Sequence, residues 1–71
     1  LTFIPDILSP NHNFVNQDLI LFCEEKGMKL IPWTVNDSDR MEELIDLGVN
    51  GIISDDPILL KDVVNIKSSL E

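Results

Sequence analysis

Apolar and polar positions alternate along the chain in two rhythms. Short apolar runs of strand length (Ile4 to Ser9, Lys29 to Val35 and Gly51 to Ser54) are separated by longer segments with helical spacing. The first helical segment, Gln17 to Lys26, has Asn16 as a cap and Gly27 as a stop. The second starts near Asn36 or Asp37 and stops at Gly48. Within it Met41, Leu44, Ile45 and Gly48 share one face, while Asp39, Glu42, Glu43 and Asp46 take the outer side. In the third, Asp56 is the cap and Pro57 takes the first helical position, where a missing N–H costs nothing. Its apolar stripe is Leu59, Val63, Ile66 and Leu70.

The predicted order is β-α-β-α-β-α, with parallel strands, because each helix carries the chain back to start the next strand in the same direction. Gly27 and Gly48 open similar phrases, Gly-Met-Lys-Leu-Ile and Gly-Val-Asn-Gly-Ile-Ile, one β/α unit apart. Pro32 removes a ladder donor, so the middle strand is expected to carry an irregularity or to pair poorly there. Three strands leave two edges with unpaired N–H and C=O groups, and another domain or another copy is expected to complete the sheet. No linker or low-complexity stretch divides residues 1–71, which read as one unit.

Composition narrows the picture. A chain of 71 residues buries only about 60% of its unfolded surface, so it needs neighbours for a robust core. A net charge of −8 opposes binding to phosphate backbones and anionic membrane surfaces, and nucleic acid is not an expected partner. The opening Leu-Thr-Phe-Ile-Pro lacks the pattern of a signal peptide, and with no methionine at position 1 the true start is expected to lie elsewhere. Localisation stays open. A lone Cys23 reads as a small core residue, and one Cys with one His gives no zinc cluster.

Candidate chemistry follows from the rule that parallel β/α folds collect functional polar residues just beyond the carboxyl ends of their strands. Ser9, Asn11, His12 and Asn13 follow the first run; Trp33, Thr34 and Asn36 end the second; Ser54, Asp55 and Asp56 follow the third. Each also has a structural explanation. Asn36 or Asp37 and Asp56 are placed as helix caps, Asp55 can hold a loop, His12 can be a satisfied loop residue, and Trp33 can fill core volume. No glycine-rich phosphate loop, Gly-x-Ser-x-Gly elbow or Cys–His pair is present.

The stretch Gly27 to Pro57 resembles the last part of glycerophosphodiester phosphodiesterase domains. Trp33, Thr34, Val35 and Asn36 match the family's Trp-Thr-Val-Asn phrase. Leu47, Gly48, Val49, Gly51, Ile52, Ile53, Asp55 and Pro57 match its Leu-Gly-Val-Asp-Gly-Ile and Ile-Thr-Asp-x-Pro phrases. Asn50 replaces the usual Asp and Ser54 the usual Thr.

The resemblance implies that the chain is the C-terminal three of eight units of a (β/α)₈ TIM barrel. It implies a parent hydrolase of lipid metabolism that cleaves glycerophosphodiesters to glycerol 3-phosphate and an alcohol. The implied chemistry uses a divalent cation, Mg or Ca, with two histidines as base and acid. Those groups belong to His-Arg-Gly and Glu-x-Asp motifs on earlier strands, and neither motif occurs here. Metal ligands and catalytic residues are therefore expected outside this chain, and the chain alone is expected to be inactive. What carries over is Trp33 as a substrate-binding pocket wall, with Asn36, His12 and Asp55 as supporting candidates. His12 does not correspond to either catalytic histidine of the family. The expected partners are the substrate and either the missing N-terminal part of the barrel or further copies of the chain. Two other readings compete: a non-catalytic barrel remnant that oligomerises or binds a partner, and an unrelated flavodoxin-like protein, which leaves the matched phrases unexplained.

Overall fold

A computed structural model describes residues 6–69, so Ile4 and Pro5 of the first run and Leu70 of the last stripe lie outside the described residues. The helices fall where their local signals put them. Helix α1, Gln17–Lys26, starts at Asn16, whose Oδ1 accepts the Leu19 N–H at 2.9 Å. Helix α2, Ser38–Leu47, is capped by Asp37, whose carboxylate accepts the Arg40 N–H at 3.0 Å. Helix α3, Pro57–Ser69, begins under Asp56, which accepts the Leu59 N–H at 3.0 Å. Gly27 (φ +69) and Gly48 (φ +99) end α1 and α2 in the left-handed region, where a side chain would add strain. Met28 and Val49 then donate back to Cys23 and Leu44, closing both helix ends in the same way.

The strands are shorter than the apolar runs. Only Ile7–Leu8 (β1) and Lys29–Leu30 (β2) form regular strand, paired in parallel with Ile7 opposite Lys29 and Leu8 opposite Leu30. The ladder nevertheless continues: the Lys29, Ile31 and Trp33 N–H groups donate to the Asp6, Leu8 and Pro10 carbonyls respectively, and the His12 N–H donates to the Trp33 carbonyl. The donors on this edge are the odd-numbered residues of the middle run. Pro32 therefore loses nothing here, because its missing N–H belongs to the opposite edge.

That opposite edge explains why Gly51 to Ser54, expected as a third strand, is not one. Pro32 cannot donate to it, and the Leu30 N–H goes to the Asn50 side chain at 2.8 Å. Three backbone bonds remain, Asn50 to Leu30, Ile53 to Pro32 and Val35 to Ile53. They hold the run extended and parallel to the middle run without a regular ladder. The observed class is α/β with parallel strands.

All three helices cover one face of this layer. Ile20 and Cys23 of α1, Met41 and Leu44 of α2 and Val63 of α3 form one buried cluster with Val15, Leu30 and Val35. Leu8 and Ile52 pack against it, so alternation turns Ile7, Ile31 and Ile53 to the other face. Ile7 and Ile53 are about half exposed. One element of the expected stripe of α3 is corrected: Ile66 is 57% exposed, and the helix instead turns Leu60 toward the cluster along with Leu59 and Val63. Lys67 of α3 pairs with Asp46 of α2 at 2.7 Å, which brings that side of α3 onto α2 and rotates Ile66 outward. Among the described residues no helix is long and apolar enough to cross a membrane.

Two outcomes follow from this packing. The Leu30 backbone is fully buried, so Asn50→Ala strands its N–H and is expected to cost about 1–3 kcal/mol in urea unfolding, whereas Asn50→Asp keeps an acceptor and most of the stability. Burial pushes the Cys23 thiol above its ordinary value of 9.0, so the unfolded chain loses that proton first. Folding stability is accordingly expected to fall as pH rises from about that value, and a thiol reagent should label Cys23 only after denaturant is added.

Candidate functional site

The polar residues beyond the runs do meet on one rim, at the carboxyl ends of β1, the middle run and the third run. Ladder register brings the first two groups together, with Asn11 opposite Trp33 in a parallel bridge. Trp33 accepts the His12 N–H on its carbonyl at 2.8 Å, and its indole Nε1–H donates to the Ser9 carbonyl at 2.8 Å. The Ser9 hydroxyl donates to the Ile31 carbonyl at 2.7 Å. The indole is thus held at its polar end while remaining 41% exposed. An indole fixed in this way offers a broad apolar surface at low entropic cost.

Asn36 is not the cap of α2, a role that Asp37 fills. Its amide reaches across to the end of the third run instead. Oδ1 accepts the Asp55 N–H at 2.9 Å and the Ser54 hydroxyl at 3.1 Å, and Nδ2 donates to the Asp55 carboxylate at 3.4 Å. Ser54 Oγ in turn accepts the Asp56 N–H at 3.0 Å. Asn36 and Asp55, both expected at the rim, are therefore one bracket joining two loops. Asn11 is occupied locally, its side chain accepting the Asn13 N–H at the start of the 3₁₀ turn His12–Phe14.

His12 has a partner that the sequence reading missed. Arg40, in the first turn of α2, donates from Nε to His12 Nδ1 at 3.2 Å, from Nη2 to the His12 carbonyl and to the Val15 carbonyl at 3.4 Å, and from Nη1 to Glu43. A signal was available. Arg40 is the chain's single arginine, and a cation in a first helical turn opposes the helix dipole, so it needs a reason to be there. Among the described residues no group of three or more His, Cys, Asp and Glu side chains could hold a metal ion.

A cleft of about 260 Å³ lies elsewhere, between α2, α3 and the start of the third run, lined by Ile45, Val49, Ile52, Leu60 and Val64 among others. Asn50 and Gly51 border it, whereas Ser54 and Asp55 end the same run at the rim. It is an apolar gap between helices at the opposite end from the polar residues.

With this geometry in place, comparisons with known proteins become informative. The family model for the Glycerophosphoryl diester phosphodiesterase family matches residues 3–59. A glycerophosphodiester phosphodiesterase of Caldanaerobacter subterraneus subsp. tengcongensis is 42% identical over 57 residues, covering 80% of this chain and 24% of that protein. One of Bacillus subtilis is 33% identical over 54 residues, covering 76% of this chain and 18% of that protein. A crystal structure from Silicibacter pomeroyi DSS-3, whose glycerophosphoryl diester phosphodiesterase name is provisional, superposes with a TM-score of 0.83 at 22% identity over 87% of this chain and 21% of its own. That structural likeness speaks to the fold. The chain spans a quarter or less of the length of these relatives.

The Asn36 bracket can be tested directly. Asn36→Ala removes acceptors from partly solvated groups and is expected to cost about 0.5–1.5 kcal/mol. Asn36→Asp keeps the acceptors but sets a second carboxylate against Asp55, and its deficit in urea unfolding should shrink as salt is raised.

Proposed function

The chain belongs to the Glycerophosphoryl diester phosphodiesterase family, and we propose that residues 1–71 are the C-terminal three of eight β/α units of such a barrel, working within a longer protein that hydrolyses glycerophosphodiesters. The observation that carries this reading is the family match over residues 3–59, which includes the indole fixed at a strand's carboxyl end. The bare face of the layer supports it. Ile7, Trp33 and Ile53 stand 41–51% exposed on the side away from the helices, where a closed barrel has its packed interior and mouth. A separate oligomerising remnant leaves the family match without a purpose.

In this reading Trp33 forms one wall of the substrate pocket and packs against the glycerol or alcohol part. Asn36 and Asp55 support the wall from the neighbouring loop, and His12 lies beside it. Family members are metal-dependent hydrolases, yet the described residues do not fit a metal, since no suitable cluster of ligands stands among them. The cation, whether Mg or Ca, and the acid and base belong to earlier strands of the domain. This chain's share is apolar surface, loop rigidity and core.

The test is to join residues 1–71 to an upstream segment carrying His-Arg-Gly and Glu-x-Asp motifs. The joined protein is expected to hydrolyse a glycerophosphodiester, and residues 1–71 alone are not. Trp33→Ala in the joined protein should lower kcat/KM by about tenfold or more while leaving the fold intact by circular dichroism. Equal activity with and without the indole would remove Trp33 from the pocket, and hydrolysis by residues 1–71 alone would overturn the division of labour.

A further inference from the structure

Arg40 makes more contacts than a surface ion pair needs. Its guanidinium is always protonated and has five N–H donors and no acceptor. Two of its nitrogens contact the same residue, Nε meeting the ring of His12 and Nη2 its carbonyl. The side chain is only 21% exposed, and Glu43 holds the remaining terminal nitrogen. Such an arrangement fixes a ring and its backbone together.

The chemistry of the ring contact is decisive. A neutral imidazole has one N–H and one bare nitrogen, and an imidazolium has two N–H groups. A nitrogen 3.2 Å from an obligatory donor must be the bare one, so the imidazole proton lies on Nε2. We infer that Arg40 is a positioning residue for the rim: it engages His12 Nδ1 as an acceptor and so holds the imidazole as the tautomer with its proton on Nε2, leaving His12 to offer a hydrogen-bond donor to an acceptor oxygen at the carboxyl ends of the strands. The other tautomer would set an Nδ1–H donor against the Arg40 Nε–H donor. The other charged group engaged with the same guanidinium is Glu43, and Asp37 is occupied by the Arg40 backbone N–H.

The same guanidinium ties the chain between β1 and α1 to α2, since the His12 and Val15 carbonyls bracket the 3₁₀ turn. The segment's near end carries the Ser9 carbonyl that receives the indole N–H. Arg40, His12 and Trp33 are thereby linked through one short piece of backbone. That the acceptor is a phosphodiester oxygen rests on the function proposed above. The tautomer rests on this chain alone.

The experiment uses residues 1–71, which have one histidine and one tryptophan, so that each side chain gives unambiguous signals. In ¹⁵N-labelled protein at neutral pH, long-range proton–nitrogen correlation should show His12 Nδ1 unprotonated and Nε2 protonated. Arg40→Met should move both nitrogens toward averaged tautomers and shift the Trp33 indole N–H, while Glu43→Gln should leave the ring nitrogens in place. A proton on Nδ1 in the unmodified chain would overturn the inference, as would an unchanged ring in a folded Arg40→Met variant. If that variant fails to fold, the tautomer of the unmodified chain decides alone. A negative result would remove this positioning role of Arg40 and leave the phosphodiesterase reading untouched; a joined protein without hydrolysis would do the reverse.

Discussion

The parallel ladder between residues 6–12 and 29–33 is the constraint on which the rest depends. Its donors are alternate residues of the middle run, Lys29, Ile31 and Trp33, and this choice of edge has two effects. It lets a proline sit inside the run, because the donor Pro32 lacks faces the other way. It also fixes which side chains meet. With Asn11 opposite Trp33, the indole falls beside Ser9 and the backbone of His12 reaches the Trp33 carbonyl. A shift of one residue would turn Leu8 and Leu30 out of the core and Trp33 into it.

How much of this was legible depended on the range of the interactions involved. Helix limits rest on contacts within four residues, and Asn16 with Gly27, Asp37 with Gly48, and Asp56 with Pro57 marked them within the sequence. Strand limits rest on partners 18 or more residues away. The third run looks like a strand by composition, but whether it pairs is decided by Pro32 and by the Asn50 side chain capturing the Leu30 N–H. Neither effect is visible inside Gly51 to Ser54 itself. The stripe of α3 failed at Ile66 for a similar reason, since the helix is oriented by its contacts with α2, including Lys67 on Asp46.

The rim shows the same division. Its location followed from the order of elements, and Trp33, Asn36, Asp55 and His12 all lie on it. Their partners did not follow. Asn36 could serve as a cap or as a bracket, and only the fold selects the second by bringing Asp55 within reach. Three polar ties now join neighbouring segments around the rim: Trp33 to Ser9, Arg40 to His12 and Asn36 to Asp55. Each spans the gap between consecutive β/α units, where loops would otherwise move independently. Ties of this kind preorganise the rim, which would spare the ordering cost if a ligand bound at the proposed pocket wall.

The bare face and the acidic coat together give the molecule a directional character. Carboxylates such as Asp18, Glu24, Glu25, Asp39, Glu43 and Asp46 are carried on the helices, while Ile7, Trp33 and Ile53 mark the uncovered side. Two copies approaching with their oily sides facing must first bring together bodies of charge −8, and that repulsion reaches about 8 Å at physiological salt. Like charge therefore sets a kinetic filter in the composition itself, delaying encounters between the oily sides of separate copies.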